Sequence, residues 1–126
     1  MPVHEHWQDE PEEHDFPAAA DYLSLVADAG EVAKVVAALQ TAETIHRQAE
    51  DLLRASRLAL LPADNVHVKK DLVKVASGKR LSPVLLVRGR GAKGVPLTVA
   101  DGYHRICASH HLDEDADVPC RLVAWP

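Results

Sequence analysis

The stretch Leu97-Thr-Val-Ala-Asp-Gly-Tyr-His-Arg-Ile-Cys-Ala108 decides the fold and carries the sharpest functional signal. Residues 97–100 are typical of a strand, Asp101-Gly102 turns the chain, and residues 103–112 have helical character. A strand that ends in a glycine turn and opens a helix points the first free N–H groups of that helix outward. Such a turn favours an anion, so we predict a phosphate-type site here.

The side chains of this turn strengthen the prediction. Gly102 lets a ligand approach the backbone, His104 is a donor whose charge depends on pH, and Arg105 offers a bidentate fork suited to phosphate oxygens. Cations oppose the dipole at a helix N-terminus, which indicates that an anion lies between them. The structural alternative pairs Arg105 with Asp101 or with the acidic residues 113–117, and makes His104 an ordinary turn residue.

The elements on either side of this stretch predict an α+β fold with a small sheet. Asp64-Asn65 is a natural N-cap for a helix over residues 66–76, and Gly78 supplies its C-terminal stop. Residues 83–88 form a short apolar run typical of a buried strand, and residues 118–125 are predicted to form the last strand. Helices followed by helix, strand, strand, helix and strand fit this fold class.

The N-terminal half is predicted to be a mobile leader followed by helices. Residues 1–16 are acidic and show no period, although His4, His6 and His14 could bind a metal loosely. Helices are expected from Pro17, from Asp28 with Glu31 as a capping box, and from about residue 42 to residue 60. The helix 42–60 either completes the core or forms a homodimer or protein partner interface. This divides the chain into a leader 1–16, a helical extension 17–61 and a main domain 62–126.

Length, composition and charge limit the function further. The chain has 126 residues, 47% of them hydrophobic, and two cysteines, which excludes two large domains and a disulfide scaffold. No basic start with an apolar run and no membrane-length apolar segment occurs, so we expect a cytoplasmic protein without a membrane span. The formal net charge is −5, but residues 1–31 hold nine acids and no Lys or Arg, whereas residues 62–112 hold three acids and nine bases. An acidic leader on an anion-binding body is therefore predicted.

The loop and its flanks resemble the ParB/sulfiredoxin superfamily over about residues 62–124. Gly102-Tyr-His-Arg-Ile-Cys-Ala108 fits the pattern G-x-[HR]-R-x-x-A of its signature loop and helix. Ser82-Pro-Val-Leu-Leu-Val-Arg88 resembles the P-I-x-V strand, and Val118-Pro-Cys-Arg-Leu-Val123 resembles the closing I-P-x-x-V strand. The helix 66–76 matches the helix that precedes the first of these strands.

The resemblance implies ATP or another nucleotide, with Mg²⁺, bound by residues 101–105, which are Asp101, Gly102, Tyr103, His104 and Arg105. Tyr103 stands where sulfiredoxins carry their nucleophilic cysteine, so sulfiredoxin chemistry has lost its thiolate. The helix positions that line ATP in sulfiredoxins fall on Val68, Asp71 and Val75, and the candidate lysine contacts, Lys70 and Lys74, are their neighbours in sequence.

Free-serine kinases of this superfamily use a D-G-H-H-R loop, which residues 101–105 approach. The catalytic candidates on this interpretation are His104 and Asp64, a carboxylate that could take the proton of a hydroxyl acceptor, although Asp64 is also a candidate helix N-cap. Three hypotheses stay open: a nucleotide-dependent phosphotransferase, a noncatalytic nucleotide-sensing or interaction module, and nucleic-acid binding through residues 62–112. The third is the weakest, since no helix-turn-helix pattern follows residue 124 and no aromatic platform for bases is visible.

Overall fold

The computed structural model describes residues 6–90 and 93–126. Across these residues the chain forms five helices and one four-stranded sheet, which confirms the predicted α+β class. No helix in this part of the chain is both long and apolar enough to cross a lipid bilayer. In chain order the elements are α1 Asp15–Leu23, α2 Ala29–Thr41, β1 Ile45–Gln48, α3 Ala49–Ser56, α4 Val66–Ala76, β2 Val84–Val87, β3 Thr98–Asp101, α5 Tyr103–Leu112 and β4 Asp117–Val123.

The sheet has the strand order β1-β4-β2-β3. Strand β2 runs parallel to β4 and antiparallel to β3, while β1 lies antiparallel to β4 at the opposite edge. The central strand β2 is buried at all four positions, as a continuous Val-Leu-Leu-Val run predicts for a strand covered on both faces. The predicted buried strand near residues 83–88 is therefore confirmed, and the last strand predicted over residues 118–125 corresponds to β4.

Each face of the sheet has its own hydrophobic core, because successive side chains of a strand point to opposite faces. Val84 and Leu86 of β2 pack with residues of α3, α4 and α5. Leu85 and Val87 pack on the other face with α1 and α2. Helices α1 and α2 thus form one whole layer of the fold.

The predicted helix 42–60 is wrong in its first part. Residues 45–48 form β1, in which Ile45 pairs with Cys120 of β4, and only residues 49–56 are helical. The apolar spacing continues through both segments, and the free edge of β4 decides in favour of a strand, so tertiary pairing overrides the local pattern. Leu52 and Leu53 of α3 are buried in the core, which agrees with the alternative that this segment completes the core.

Part of the predicted extension 17–61 shares secondary structure with residues 62–126. Strand β1 pairs with β4 in one sheet, and α3 packs in the same core as α4 and α5.

The prediction of a mobile leader is wrong for residues 6–16. Trp7 is only 4% exposed and forms a parallel bridge with Leu81. The backbone N–H of Leu81 donates to the carbonyl of His6 at 2.8 Å, and that of Gln8 donates to the carbonyl of Leu81 at 2.7 Å. A tryptophan that buries its ring in the core anchors a segment whose other residues are polar. Residues 1–5, including His4, lie outside the described residues.

The structure confirms the predicted N-cap of α2 and decides which residue caps α4. Asp28 caps α2 by accepting a hydrogen bond from the N–H of Glu31 at 2.8 Å, as the capping-box pattern predicts. Helix α4 is capped by Asn65, whose side chain accepts from the amides of residues 67 and 68, so Asp64 is not the cap. Arg121 was not foreseen: it lies buried in β4 and donates to the carbonyls of Leu39 and Gln40 at the end of α2.

Candidate functional site at the start of helix α5

Gly102 shapes the turn between β3 and α5. Its φ of 112° lies in the left-handed region, where residues other than glycine are strained. A Cβ atom at this position would overlap Cγ1 of Val84 in the central strand, so the turn is closed against the core. The glycine that the sequence singled out is required by both its dihedral angle and its packing.

The first amides of α5 have no side-chain cap. Helix α5 begins at Tyr103, and Gly102 at the N-cap position has no side chain to accept a hydrogen bond. The N–H of Ile106 donates to the carbonyl of Gly102 at 3.0 Å and starts the intrahelical ladder. The amides of residues 103–105 precede that bond and, by the geometry of a helix start, can bind an external acceptor.

Arg105 is held by carboxylates within the fold. Its Nη2 atom donates to Oδ2 of Asp101 at 2.8 Å and lies 3.4 Å from the carbonyl of Pro83. Its Nη1 atom lies 4.0 Å from Oδ1 of Asp15 in α1. The structure therefore contains the Arg105–Asp101 pair of the alternative interpretation. Through these contacts Arg105 links α5 to the start of α1, to the residue before β2 and to the end of β3.

Asp15 is a member of the site that the sequence did not reveal. It is 2% exposed, and its Oδ2 atom accepts a hydrogen bond from the N–H of Glu12 at 2.9 Å. Burial raises the pKa of Asp101 above its ordinary value; Arg105 opposes this shift and Asp15 adds to it. One buried and one partly buried carboxylate thus lie beside the same guanidinium. No local signal distinguishes Asp15 from the other acids of the leader, because its role depends on the approach of α1 to β3.

The side chain of His104 is partly buried and lies next to helix α4. Its ring centroid lies 4.7 Å from that of His67 in α4 and 5.5 Å from that of Tyr103. Burial lowers the pKa of His104 below its ordinary value of 6.5, and His67 and Arg105 lower it further while Asp71 opposes them. In the free protein at pH 7 the imidazole is therefore mainly neutral.

Helix α4 contributes one charged face to the site. Positions 67, 70, 71 and 74 lie at i, i+3, i+4 and i+7 and so share that face. Burial raises the pKa of Asp71 despite the nearby charges of Lys74, Arg105 and the two histidines. Nζ of Lys74 lies 4.0 Å from Oδ1 of Asp71. The structure thus places Asp71 near His104 and Lys74 beside Asp71, with Lys70 exposed on the same helix face.

Asp64 does not join this group. It is exposed in the turn before α4, one residue ahead of the N-cap Asn65. The carboxylate whose environment is coupled electrostatically to His104 is Asp71. Sequence reasoning placed Asp71 among the ATP-lining positions without giving it a role, and the i, i+4 spacing from His67 is the signal that could have found it.

Tyr103 anchors the loop before α4. Its hydroxyl donates to the carbonyl of Ala59 at 2.5 Å, and burial raises its pKa. Cys107, one turn further along α5, is fully buried in the core, and burial raises the pKa of its thiol. Cys107 is therefore a packed core thiol.

Within residues 6–90 and 93–126, no three or more His, Cys, Asp and Glu side chains are arranged to hold a metal ion. His14, one of the leader histidines, instead lies 3.1 Å from Glu12 and 3.5 Å from Asp15.

Comparison with protein-family models, with curated proteins and with solved structures finds no match to this chain. A function for the chain must therefore be inferred from the geometry of the α5 start and from its sequence motif.

Proposed function

We propose that this chain is a cytoplasmic protein that binds the phosphate groups of a nucleotide or of a similar small phosphate compound at the start of α5. The observation that carries the proposal is the uncapped first turn of α5 behind Gly102, with His104 and the charged face of α4 beside it. Phosphate oxygens accept hydrogen bonds from such amides and are favoured by the positive end of the helix dipole.

The side chains divide into two roles under this proposal. Lys70 and Lys74 supply positive charge to the ligand, and His104 supplies a hydrogen-bond donor that becomes positively charged when the imidazole is protonated. Arg105, already paired with Asp101 at 2.8 Å, positions the turn and holds the α5 start against β3. This assignment departs from a direct Arg105–phosphate contact, because Arg105 already donates to Asp101 and lies beside the buried carboxylate of Asp15.

The nucleotide itself rests on the resemblance to the ParB/sulfiredoxin superfamily. An ATP-type triphosphate fits an amide-lined turn with lysines nearby. The nearest carboxylates, Asp71 and Asp101, each already face a cation. Mg²⁺ would accordingly be bound mainly by the phosphate oxygens of the nucleotide.

A phosphotransferase is the second candidate function, and Asp71 is the observation that favours it. A general base for a hydroxyl acceptor needs a carboxylate near the phosphate site with a pKa closer to neutrality. Burial raises the pKa of Asp71, and it lies on the helix face that meets His104. Asp64, the base suggested by the sequence, is exposed and has the environment of a surface acid.

Binding is tested with a thermal-shift and calorimetry screen of ATP, ADP, CTP, GTP and inorganic phosphate, with and without Mg²⁺. A ligand that binds the folded state alone raises the melting temperature through mass action. His104→Ala and Lys74→Gln should weaken binding, whereas His110→Ala, near the other end of α5, should leave it unchanged. If no compound raises the melting temperature of the wild type, the proposal is wrong.

Turnover separates the two candidate functions. Nucleotide consumption in the presence of small hydroxyl compounds, lost in Asp71→Asn and kept in Asp64→Asn, would support a phosphotransferase. Turnover lost in Asp64→Asn and kept in Asp71→Asn would instead identify Asp64 as the general base. Binding without any turnover would support a noncatalytic nucleotide-sensing module.

A further inference from the structure

A second cleft lies at the far end of the sheet. It is lined by Arg47 of β1, by Arg57 directly after α3 and by Arg88 directly after β2, and its volume is about 580 Å³. Its floor is apolar and includes Leu52, Leu86, Leu97 and Leu122. This volume and this mixture of an apolar floor with a few polar groups are typical of small-molecule sites.

This cleft is separate from the α5 start. Strands β2 and β3 are antiparallel, with Leu85 opposite Asp101 and Val87 opposite Thr98. Arg88 follows the carboxyl end of β2, so it lies where β3 begins. Gly102 follows the carboxyl end of β3 and lies at the other end of the same strand pair. A ligand in one site therefore does not occupy the other.

The three arginines have no carboxylate partner within 4.0 Å in the described parts of the chain. The single acid that lines the cleft, Asp51, lies 3.6 Å from Arg54 on its own helix. Arg47 donates to the neighbouring carbonyl of His46, and Arg57 only approaches the carbonyl of Gly94, at 3.4 Å. Three elements thus bring three exposed arginines without a carboxylate partner to one cleft, where a bound anion would meet them together.

The backbone conformation of Arg57 also supports a ligand-binding role for this cleft. Its φ of 58° is the one positive value at a non-glycine residue among those described. Glycine or asparagine is the usual residue where a helix ends in this conformation, and an arginine there is strained by about 1 kcal/mol. Glycine would remove the strain and also the third guanidinium of the cleft. A local rule broken in this way is expected where function requires the side chain.

We propose that this cleft binds a small organic anion that carries at least two phosphate or carboxylate groups on an apolar body. Guanidinium groups match the planar, bidentate geometry of these oxyanions, and the leucine floor matches an apolar body. No aromatic side chain lines the cleft, so the stacking that single-stranded nucleic acids use is absent from its described lining.

The test uses the full chain in 50 mM salt, with inorganic pyrophosphate and n-hexyl pyrophosphate as probes. Calorimetry should show that both bind, and that the hexyl compound binds at least about tenfold more tightly because its alkyl chain meets the leucine floor. Amide chemical shifts should change at residues 47, 57, 86–89 and 95–97. Equal affinity of the two probes, or shifts confined to residues 102–105, would overturn the proposal.

Matched variants separate specific contacts from overall charge. Arg47→Gln and Arg88→Gln should each weaken binding of the hexyl probe at least about fivefold. Arg80→Gln removes the same charge from an exposed position outside the cleft and should change affinity less than about twofold. If all three variants weaken binding equally, or if a single-stranded oligonucleotide competes through Arg47 and Arg88 with higher affinity than the hexyl probe, the cleft is not a small-anion site.

Discussion

Replacing Arg105 by alanine should destabilise the fold by about 3 kcal/mol. The variant leaves the partly buried Asp101 and the buried Asp15 without the guanidinium, which lies 2.8 Å from Asp101 and 4.0 Å from Asp15. Breaking a buried ion pair by removing one partner costs about 3 to 5 kcal/mol. The lower end applies because the side chains of Arg105 and Asp101 are still 16% and 18% exposed. For a chain of this length that loss corresponds to a fall in Tm of about 11 °C.

Urea unfolding followed by tryptophan fluorescence measures this loss, and a double-mutant cycle assigns its cause. Adding Asp101→Asn to Arg105→Ala should recover part of the stability, since it removes one of the two orphaned charges. Arg80→Ala, an exposed arginine, should change stability by less than about 0.5 kcal/mol. A loss below about 1 kcal/mol in Arg105→Ala, or no recovery in the double variant, would refute the shared-guanidinium account.

The pH dependence gives an independent check on the same cluster. Because the folded-state pKa of Asp101 is raised, the folded protein holds that proton more tightly than the unfolded chain does. This contribution to stability is present at low pH and is lost as pH rises from the unfolded value, near 3.8, through the raised folded value. Without Arg105 the shift becomes larger, so the deficit of Arg105→Ala should shrink as pH is lowered from 7 towards 5.

Single positions give three further predictions. Gly102→Ala should cost about 3 kcal/mol, whereas Gly78→Ala, with positive φ but open space around it, should cost only about 1 kcal/mol; equal losses would show that the contact with the core is unimportant. Trp7→Ala should cost about 3 kcal/mol in urea unfolding, whereas a mobile leader predicts no change. The pKa of His104, measured by proton NMR, should lie below 6.5 and rise when phosphate is added. Because this pKa is lowered on folding, stability should fall as pH drops below about 6.5, and less steeply in His104→Gln.

The sequence was informative where local rules determine structure. The glycine turn at residue 102, the buried run of β2 and the capping box at Asp28 each depend on a few adjacent residues, and the structure has all three. Strand β1 was missed because residues 45–48 have no strand pattern of their own. Their conformation is set by the unpaired edge of β4, about 70 residues away in the chain.

The site shows the same division between local and long-range information. The position of His104 on the first turn of α5 follows from the motif, but its contact with His67 depends on how α4 packs against α5. The i, i+4 spacing of Asp101 and Arg105 was sufficient to predict their ion pair as one alternative. The contact of Asp15 with this pair could not be predicted, because only the layer formed by α1 and α2 brings an acid of the N-terminal segment to the end of β3.

The position of Asp15 also changes what the charge pattern means. The acids of residues 1–31 and the bases of residues 62–112 suggested a leader separate from a basic body. One of those acids is instead buried beside Arg105, and it takes up part of the positive charge that the sequence assigned to a phosphate. The charge left for a ligand at the α5 start comes from the helix amides, Lys70, Lys74 and His104. Since the pKa of His104 lies below neutrality in the free protein, phosphate affinity at this site should increase as pH falls, which a site built on Arg105 would not do.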